Sequence, residues 1–387
     1  MFEILALNEI SDKIFSVFDA NYKVAKDIPA PDAVLVRSAP MAEFPINDNL
    51  LAVARAGAGV NNIPLPRMTE AGVVVFNTPG ANANAVKELA ICAMLLASRD
   101  IVRGISWQST LLGKGDEVPK LVEKGKAQFG GIEIAGKTLG VVGLGAIGVR
   151  VANAAVALEM SVIGYDPYLS AENKNKLDRS VSVSSLEDVL AKSDFVTLHL
   201  PYTESTKYLF NSGTIAKMKT GAVLINLSRG ELVNNNDIKE ALSSGKIRRY
   251  VVDFPTEDII GVPKIICIPH LGASTEEAED NCAVMAAAEL KEYLENGNIR
   301  NSVNFPSLHI GKRSAHRLTV AYNTGKGVVE KLTALLADLP HTFNFAEKKD
   351  VGYAIIDTDV PLADGGEADS IMEKISKLED ILSIRIL

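Results

Sequence analysis

Thr138-Leu139-Gly140-Val141-Val142-Gly143-Leu144-Gly145-Ala146-Ile147-Gly148 decides how the rest of the chain is read. An apolar run of strand length passes directly into a Gly-x-Gly-x-x-Gly turn, and the Ala- and Val-rich segment Val149 to Leu158 follows with helical character. Each glycine has its own reason to be there. Gly143 makes the tight turn, Gly145 lets backbone approach a pyrophosphate, and Gly148 lets helix and strand pack closely, with Ala146 and Ile147 opening the helix. The free amides of that helix N-terminus then face the phosphates. Asp166 closes the next apolar run, Ser161 to Tyr165, where a carboxylate can bond both ribose hydroxyls and so favour NAD over NADP. Glycine-rich turns are common by themselves, but strand, turn, helix and acid in register point to a dinucleotide site.

Working outward, the same alternation continues on both sides. Downstream, strand-like runs at Phe195–Leu198, Ala222–Asn226 and Arg249–Val252 are separated by helical segments, as a parallel sheet requires. Upstream, Ile4–Leu7, Ala33–Val36, Leu51–Ala54 and Gly72–Phe76, with a helix expected over Ala83–Ser98, form a smaller α/β set ending near Arg99. Gly104 to Gly131 reads as an irregular crossover anchored by Trp107 and Phe129. Beyond a polar linker at Gly311–Ser314, the order is strand (Arg317–Ala321), helix (Gly327–Leu339), strands (Thr342–Phe345, Gly352–Asp357), helix (Glu367–Leu378) and strand (Ile381–Leu387). That is the βαββαβ pattern of ferredoxin-like modules. The fold class is therefore α/β, with two Rossmann-like or flavodoxin-like domains and a C-terminal ferredoxin-like one. At 387 residues, several cores are expected.

Charge narrows the partners. With 40 basic and 48 acidic residues the chain carries a formal −8, which gives no field to gather nucleic acid or anionic lipid. A small-molecule substrate is the expected partner, and any anionic group on it must be met by local positive charge. No apolar run approaches a membrane span, and a cytoplasmic chain is expected. Cys92, Cys267 and Cys282 form no CxxC or Cys/His pattern, so they read as reduced core residues and no metal site is expected.

Three ionisable residues follow at later strand ends, where ligands bind in open α/β sheets: Arg229 in Asn226-Leu227-Ser228-Arg229-Gly230, Glu257 in Phe254-Pro255-Thr256-Glu257, and His270 in Pro269-His270-Leu271-Gly272. An imidazole can take the proton of a secondary alcohol as hydride leaves, and return it in reverse. A carboxylate beside it would hold the ring and raise its pKa, the role open to Glu257. A guanidinium can fork onto a 2-hydroxy carboxylate, the role open to Arg229. Taken singly, each residue reads as an ordinary loop position; the three together read as hydride-transfer machinery.

In this arrangement the chain resembles the D-isomer-specific 2-hydroxyacid dehydrogenases, in which a Gly-rich turn is followed by Arg, Glu and His in this order. The likeness is nearest to members acting on 3-phosphoglycerate, through Val36-Arg37-Ser38, Asn77-Thr78-Pro79-Gly80-Ala81-Asn82, Phe254-Pro255-Thr256-Glu257 and Pro269-His270-Leu271-Gly272-Ala273-Ser274-Thr275. The resemblance implies that Arg229, Glu257 and His270 are catalytic and that Ala146, Ile147, Asp166, Leu227, Ser228 and Asp253 contact NAD. It also implies that Arg37 and Ser38 meet a substrate phosphate. Amides of Ala58, Gly59 and Val60 are expected at the substrate carboxylate, and Gly272 and Ala273 near the nicotinamide.

The implied domains are 1–99 with 283–306 for substrate, 100–282 for NAD, and 315–387 as an ACT-like regulatory or assembly module with an amino-acid effector. A homodimer or homotetramer is implied as well. The implied substrate pair is 3-phosphoglycerate and 3-phosphohydroxypyruvate. Glyoxylate, hydroxypyruvate or 2-ketoglutarate are alternatives, and a non-catalytic NAD(H)-sensing regulator is a third reading. One departure bears on Glu257: Phe254 follows Asp253 directly where the family has Asp-Val-Phe, and a one-residue loss turns an extended segment to its other face.

Overall fold

The computed structural model describes residues 1–313, 316–337, 340–360 and 373–387. They form two compact units, 1–82 with 276–387 and 83–275. In the first unit, β1 (Phe2–Ala6), β2 (Tyr22–Ala25), β3 (Ala33–Val36), β4 (Ala52–Arg55) and β5 (Val74–Asn77) make a parallel sheet in the order β2-β1-β3-β4-β5. Strands β3 and β4 are almost wholly apolar and buried, as parallel strands covered on both faces must be. The order reverses between β1 and β3, so the crevice at their C-terminal ends opens at Asn8 and Arg37.

The second unit carries β6 (Thr138–Val142), β7 (Ser161–Tyr165), β8 (Ser182–Val183), β9 (Phe195–Leu198), β10 (Ala222–Asn226), β11 (Ile247–Val252) and β12 (Ile265–Cys267). Their order is β12-β11-β10-β9-β6-β7-β8, all parallel, with the reversal between β6 and β9. The glycine-rich turn leaves β6 at that reversal, where ligands of doubly wound sheets bind.

The Ala83–Ser98 helix belongs to this second unit and not with the strands that precede it. Ala90, Ala93, Met94 and Ala97 form a stripe at helical spacing that packs with Val149, Val151, Ala152 and Ala155 of the Ala146–Ala157 helix. Small residues on both surfaces make that close packing available, and the unit boundary falls at Asn82 for this reason. The segment expected to be irregular contains two helices, Ile101–Ser109 and Val118–Gly125, with no buried residue in either and the Trp107 and Phe129 rings 5.2 Å apart. Their Gly and Lys content masked a helical pattern whose apolar side lies at the surface.

At the C-terminus, β13 (His316–Asn323), β14 (His341–Lys348), β15 (Val351–Thr358) and β16 (Ile381–Ile386) form an antiparallel sheet in the order β14-β15-β13-β16, with the Val328–Leu335 helix packed on it. Of the helix expected over 367–378, residues 367–372 lie outside the described residues and 373–376 are helical, and the expected end of the preceding helix at 338–339 lies outside them too. The sheet is not a separately tethered body. Ala321, Tyr353 and Ile355 share a core with Phe76, Tyr293, Leu294 and Ile299 of the first unit. Arg317, fully buried, pairs with Asp357 and donates to the Asn296 carbonyl at 2.6 Å, and Tyr353 donates to the Gly297 carbonyl at 2.8 Å. These side chains satisfy carbonyls at the end of the Glu276–Asn296 helix that would otherwise be orphaned.

Of the three cysteines only Cys282 is buried; Cys267 is half-buried and Cys92 exposed, and all three are free. The expectation of three core cysteines is corrected, because Cys92 lies on the outer side of its helix. Among the described residues no helix is long and apolar enough to cross a membrane, and no cluster of three or more His, Cys, Asp or Glu side chains is placed to hold a metal.

Candidate active site

Each glycine of the turn meets a distinct constraint. Gly143 has φ +96°, and a Cβ there would lie 2.5 Å from the His199 carbonyl oxygen. At Gly148 a Cβ would fall 1.9 Å from the Gly143 carbonyl oxygen, so helix and turn touch backbone to backbone. Gly145, by contrast, has nothing within 4 Å of its Cβ position and sits as N-cap of the Ala146–Ala157 helix, leaving an open face over free helix amides. That cradle fits a pyrophosphate. Ala146 is exposed and Ile147 half-buried beside it. Asp166 accepts from the amides of Leu144 and Tyr168, both at 2.8 Å, which fixes a carboxylate at the end of β7 next to the turn.

His199 ends β9 against the same turn. Burial pushes its imidazole down to about 4, so the ring is neutral, with Nε2 3.0 Å from Thr197 Oγ1. Its Nδ1 is buried without a hydrogen-bond partner among the described residues.

The loops after β10, β11 and β12 converge. Asn226, buried at the end of β10, accepts from the Ser228 amide and donates to the Arg229 carbonyl at 2.8 Å, and Ser228 Oγ donates to the Leu198 carbonyl. Leu227 is buried between them. Asp253, also buried, accepts from the amides of Leu271 and Gly272 at 2.8 Å each. Burial pushes this carboxyl up, opposed by those two amides and by the charge of the neighbouring His270. A side chain at Gly272 would meet the Asp253 carboxylate at 3.0 Å, while Ala273 beyond it is half-buried.

His270 takes φ +56°, costly for a residue with a Cβ, in the loop that Asp253 ties down. Its ring lies 4.8 Å from that of Phe254, and the Arg229 guanidinium lies 6.0 Å from the same ring. Phe254 is thus a shared platform that brings Arg229 and His270 to one place.

Glu257 is not brought there. It is exposed, and no hydrogen bond or ion pair joins it to His270, while its neighbours Thr256 and Asp258 are held by Asn235 and Lys239. A cavity of about 690 Å³ adjoins this stretch, lined among others by Tyr208, Asn234, Phe254, Thr256 and His270.

In the first unit, Asn8 Oδ1 accepts from the amides of Arg37, Ser38 and Ala39 at 2.9 to 3.1 Å, which curls the chain after β3. The Arg37 guanidinium pairs with Glu279 at 2.6 Å. Arg55 Nε donates to the Arg37 carbonyl at 3.0 Å, and its Nη1 lies 2.6 Å from the Cβ position of Gly57, so a side chain there would displace the guanidinium. Asn77 Nδ2 donates to the Ala58 carbonyl at 2.6 Å and so anchors the Gly57–Val60 loop, where Gly59 follows. The Arg55 guanidinium therefore stands beside the glycine loop, with the Arg37 backbone held to it.

Residues 91–272 match the NAD binding domain of the D-isomer specific 2-hydroxyacid dehydrogenases. A hydroxypyruvate reductase of Thermotoga maritima is 38% identical over 269 residues, covering 66% of this chain and 83% of that protein. The chain belongs to the D-isomer specific 2-hydroxyacid dehydrogenases. A D-3-phosphoglycerate dehydrogenase of Archaeoglobus fulgidus is 33% identical over 299 residues, covering 74% of this chain. The chain spans about half the length of that relative and of the similar ones from Methanocaldococcus jannaschii and Synechocystis. An NAD⁺-bound 3-phosphoglycerate dehydrogenase structure from Entamoeba histolytica superposes with a TM-score of 0.60 at 24% identity, over 78% of this chain and 98% of that one, which supports the fold. As in the family, NAD is the cofactor.

Sequence reasoning passed over Asn8, Arg55, Asn77, His199, Asn226 and Phe254 as site residues. Arg55 alone carried a usable signal: a charged residue ending the apolar run Leu51–Ala54 just before a glycine pair.

Proposed function

We propose that the chain interconverts D-3-phosphoglycerate and 3-phosphohydroxypyruvate with NAD, the entry step of serine synthesis. Two observations, one within each unit, carry this reading: Arg229 beside His270 over Phe254, and Arg55 at the glycine loop with its Nε on the Arg37 carbonyl. A substrate anionic at both ends has use for both groups of cations. Arg229 would fork onto the carboxylate and polarise the 2-oxygen, and His270 would take the hydroxyl proton as the C2 hydrogen leaves with its electron pair. When bound, NAD supplies the acceptor for that pair. Arg37, with Ser38 and Arg55, would meet the phosphate, and the Ala58, Gly59 and Val60 amides the carboxylate.

Glu279 does not preclude the phosphate contact. Its bridge to Arg37 is about 40% exposed at both ends, and such pairs contribute only about 0–1 kcal/mol, so a phosphate dianion can displace it. Glu257 remains the proposed orienting carboxylate, which requires the 255–258 stretch to turn toward His270. We also read the C-terminal sheet as ACT-like, serving regulation or assembly in a cytoplasmic homodimer or homotetramer, and the nucleotide and substrate roles as divided between the two α/β domains.

A second reading, hydroxypyruvate reduction, is favoured by the Thermotoga relative and by the charge that Glu279 takes from Arg37. NADH oxidation with 3-phosphohydroxypyruvate, hydroxypyruvate, glyoxylate and 2-ketoglutarate, compared at fixed cofactor, separates the two. Preference for the phosphorylated acid supports the first reading; preference for hydroxypyruvate replaces it with the second.

A further inference from the structure

Away from the residues above, the Glu276–Asn296 helix and the segment after it enclose a cavity of about 300 Å³. Its lining includes Glu289, Glu292, Asn298, Arg300, Asn301 and His309. Glu289 is the odd member. It is only 8% exposed, its Oε1 accepts from Asn301 Nδ2 at 2.6 Å, and its Oε2 is buried with no hydrogen-bond partner among the described residues. Leaving such an oxygen unmatched costs about 1–3 kcal/mol, which a donor bound at this atom would recover. Burial pushes this carboxyl up to about 8, so near neutrality it holds a proton.

The other charges around the cavity are arranged by sign. Glu292 accepts from Asn298 Nδ2, and Asn298 also donates to the Gly311 carbonyl. On the segment after the helix, Arg300 Nη2 lies 2.8 Å from His309 Nε2. A guanidinium only donates, so His309 Nε2 is the acceptor of this bond. His309 Nε2 is 3.7 Å from Glu292, too far for a hydrogen bond. The cavity thus offers two carboxyl groups on one helix face and, beyond His309, one guanidinium, at the small end of ligand-site volumes.

We propose that this cavity binds a small zwitterion of the α-amino-acid class, its ammonium seated on Glu289 and Glu292 and its carboxylate on Arg300. The ammonium gives Glu289 Oε2 the partner it lacks and favours the ionised form, so the bound state releases the Glu289 proton to solvent. The site also has a route to the glycine loop. Asn301, which donates to Glu289, accepts through its carbonyl from the Asn77 amide at 3.4 Å, and Asn77 donates to Ala58. If the Gly57–Val60 loop contacts substrate as proposed above, ligand binding changes the KM of the keto acid; the binding itself does not depend on that reading.

The test screens the twenty standard L-amino acids at millimolar concentration by thermal shift on the full chain, followed by calorimetry in two buffers of different ionisation enthalpy. Methylammonium and acetate serve as half-ligands. At least one amino acid binds, releases about one proton per ligand at pH 7, and is weakened about tenfold or more by Glu289→Gln. Arg300→Ala weakens the amino acid but leaves methylammonium unaffected, which tests the site even where Glu289→Gln fails to fold. Binding without proton release, binding untouched by both substitutions, or no binding by any amino acid overturns the proposal.

Discussion

The two units hold their functional side chains in different ways. In the nucleotide unit, geometry is imposed by the backbone: Gly143 and Gly148 are excluded from carrying any side chain, and Asp253 spends both carboxylate oxygens on the amides that shape the His270 loop. In the first unit, the arginine corner is held by side chains: Arg37 by a half-exposed bridge to Glu279, and its backbone by Asn8 and Arg55. Backbone constraints are strong and few. Side-chain constraints are weaker and adjustable, so under the proposed function chemistry sits with the former and specificity with the latter.

The largest expected effect breaks the chemical side alone. His270→Ala lowers kcat by about 10²–10⁴-fold, the usual range for a lost general base, while NADH affinity measured by fluorescence stays within about twofold. Equal loss of NADH binding would mean that His270 supports the loop rather than the reaction.

Asp253→Ala comes next, because it strips two amides of their acceptor. A destabilisation of about 2–4 kcal/mol in urea unfolding is expected, together with lower kcat, since His270 is no longer held at its positive φ. Unchanged stability would show that solvent replaces the carboxylate and that the loop is not backbone-fixed.

The adjustable side is probed by charge. Arg37→Ala raises the KM for 3-phosphohydroxypyruvate about tenfold or more and changes that for glyoxylate little. Glu279→Gln acts in the opposite sense, lowering the phosphorylated substrate's KM by a few-fold. Steady-state kinetics on both variants checks the pair; a matching rise for both substrates would remove the phosphate role from Arg37.

The smallest effect is a slope. Glu289 moves from 4.5 to about 8 on folding, so its protonation contributes stability that is fully present below about pH 4.5 and is lost as pH rises through about 8. Melting temperature measured across that window should fall more steeply for the wild type than for Glu289→Gln. Parallel curves would mean that the carboxyl is not effectively buried.

The same division explains what the sequence disclosed. The glycine turn with Asp166 was legible because backbone geometry restricts which residues can stand there, and such restrictions leave a local pattern, whereas Arg229 and His270 stood out as ionisable residues at strand ends. The βαββαβ order was legible for its strands and first helix, but not the way Arg317, Tyr353 and Arg385 fasten that sheet to the end of the Glu276–Asn296 helix. Asn8 acting on Arg37 across 29 residues, or Phe254 serving two ligand-facing groups, depends on tertiary placement that no local spacing encodes. Glu289 was hidden for a different reason: in a helix with six other Glu and Asp residues it reads as part of a solvated face. Glu257 shows the converse, a motif residue that stands exposed to solvent.

The most direct test of the account is the ratio of kcat/KM for 3-phosphohydroxypyruvate to that for hydroxypyruvate, measured with NADH on the wild type and on Arg37→Ala. The account predicts a ratio well above one that collapses by about tenfold or more in the variant. A wild-type ratio at or below one, or a high ratio that survives loss of Arg37, would contradict it.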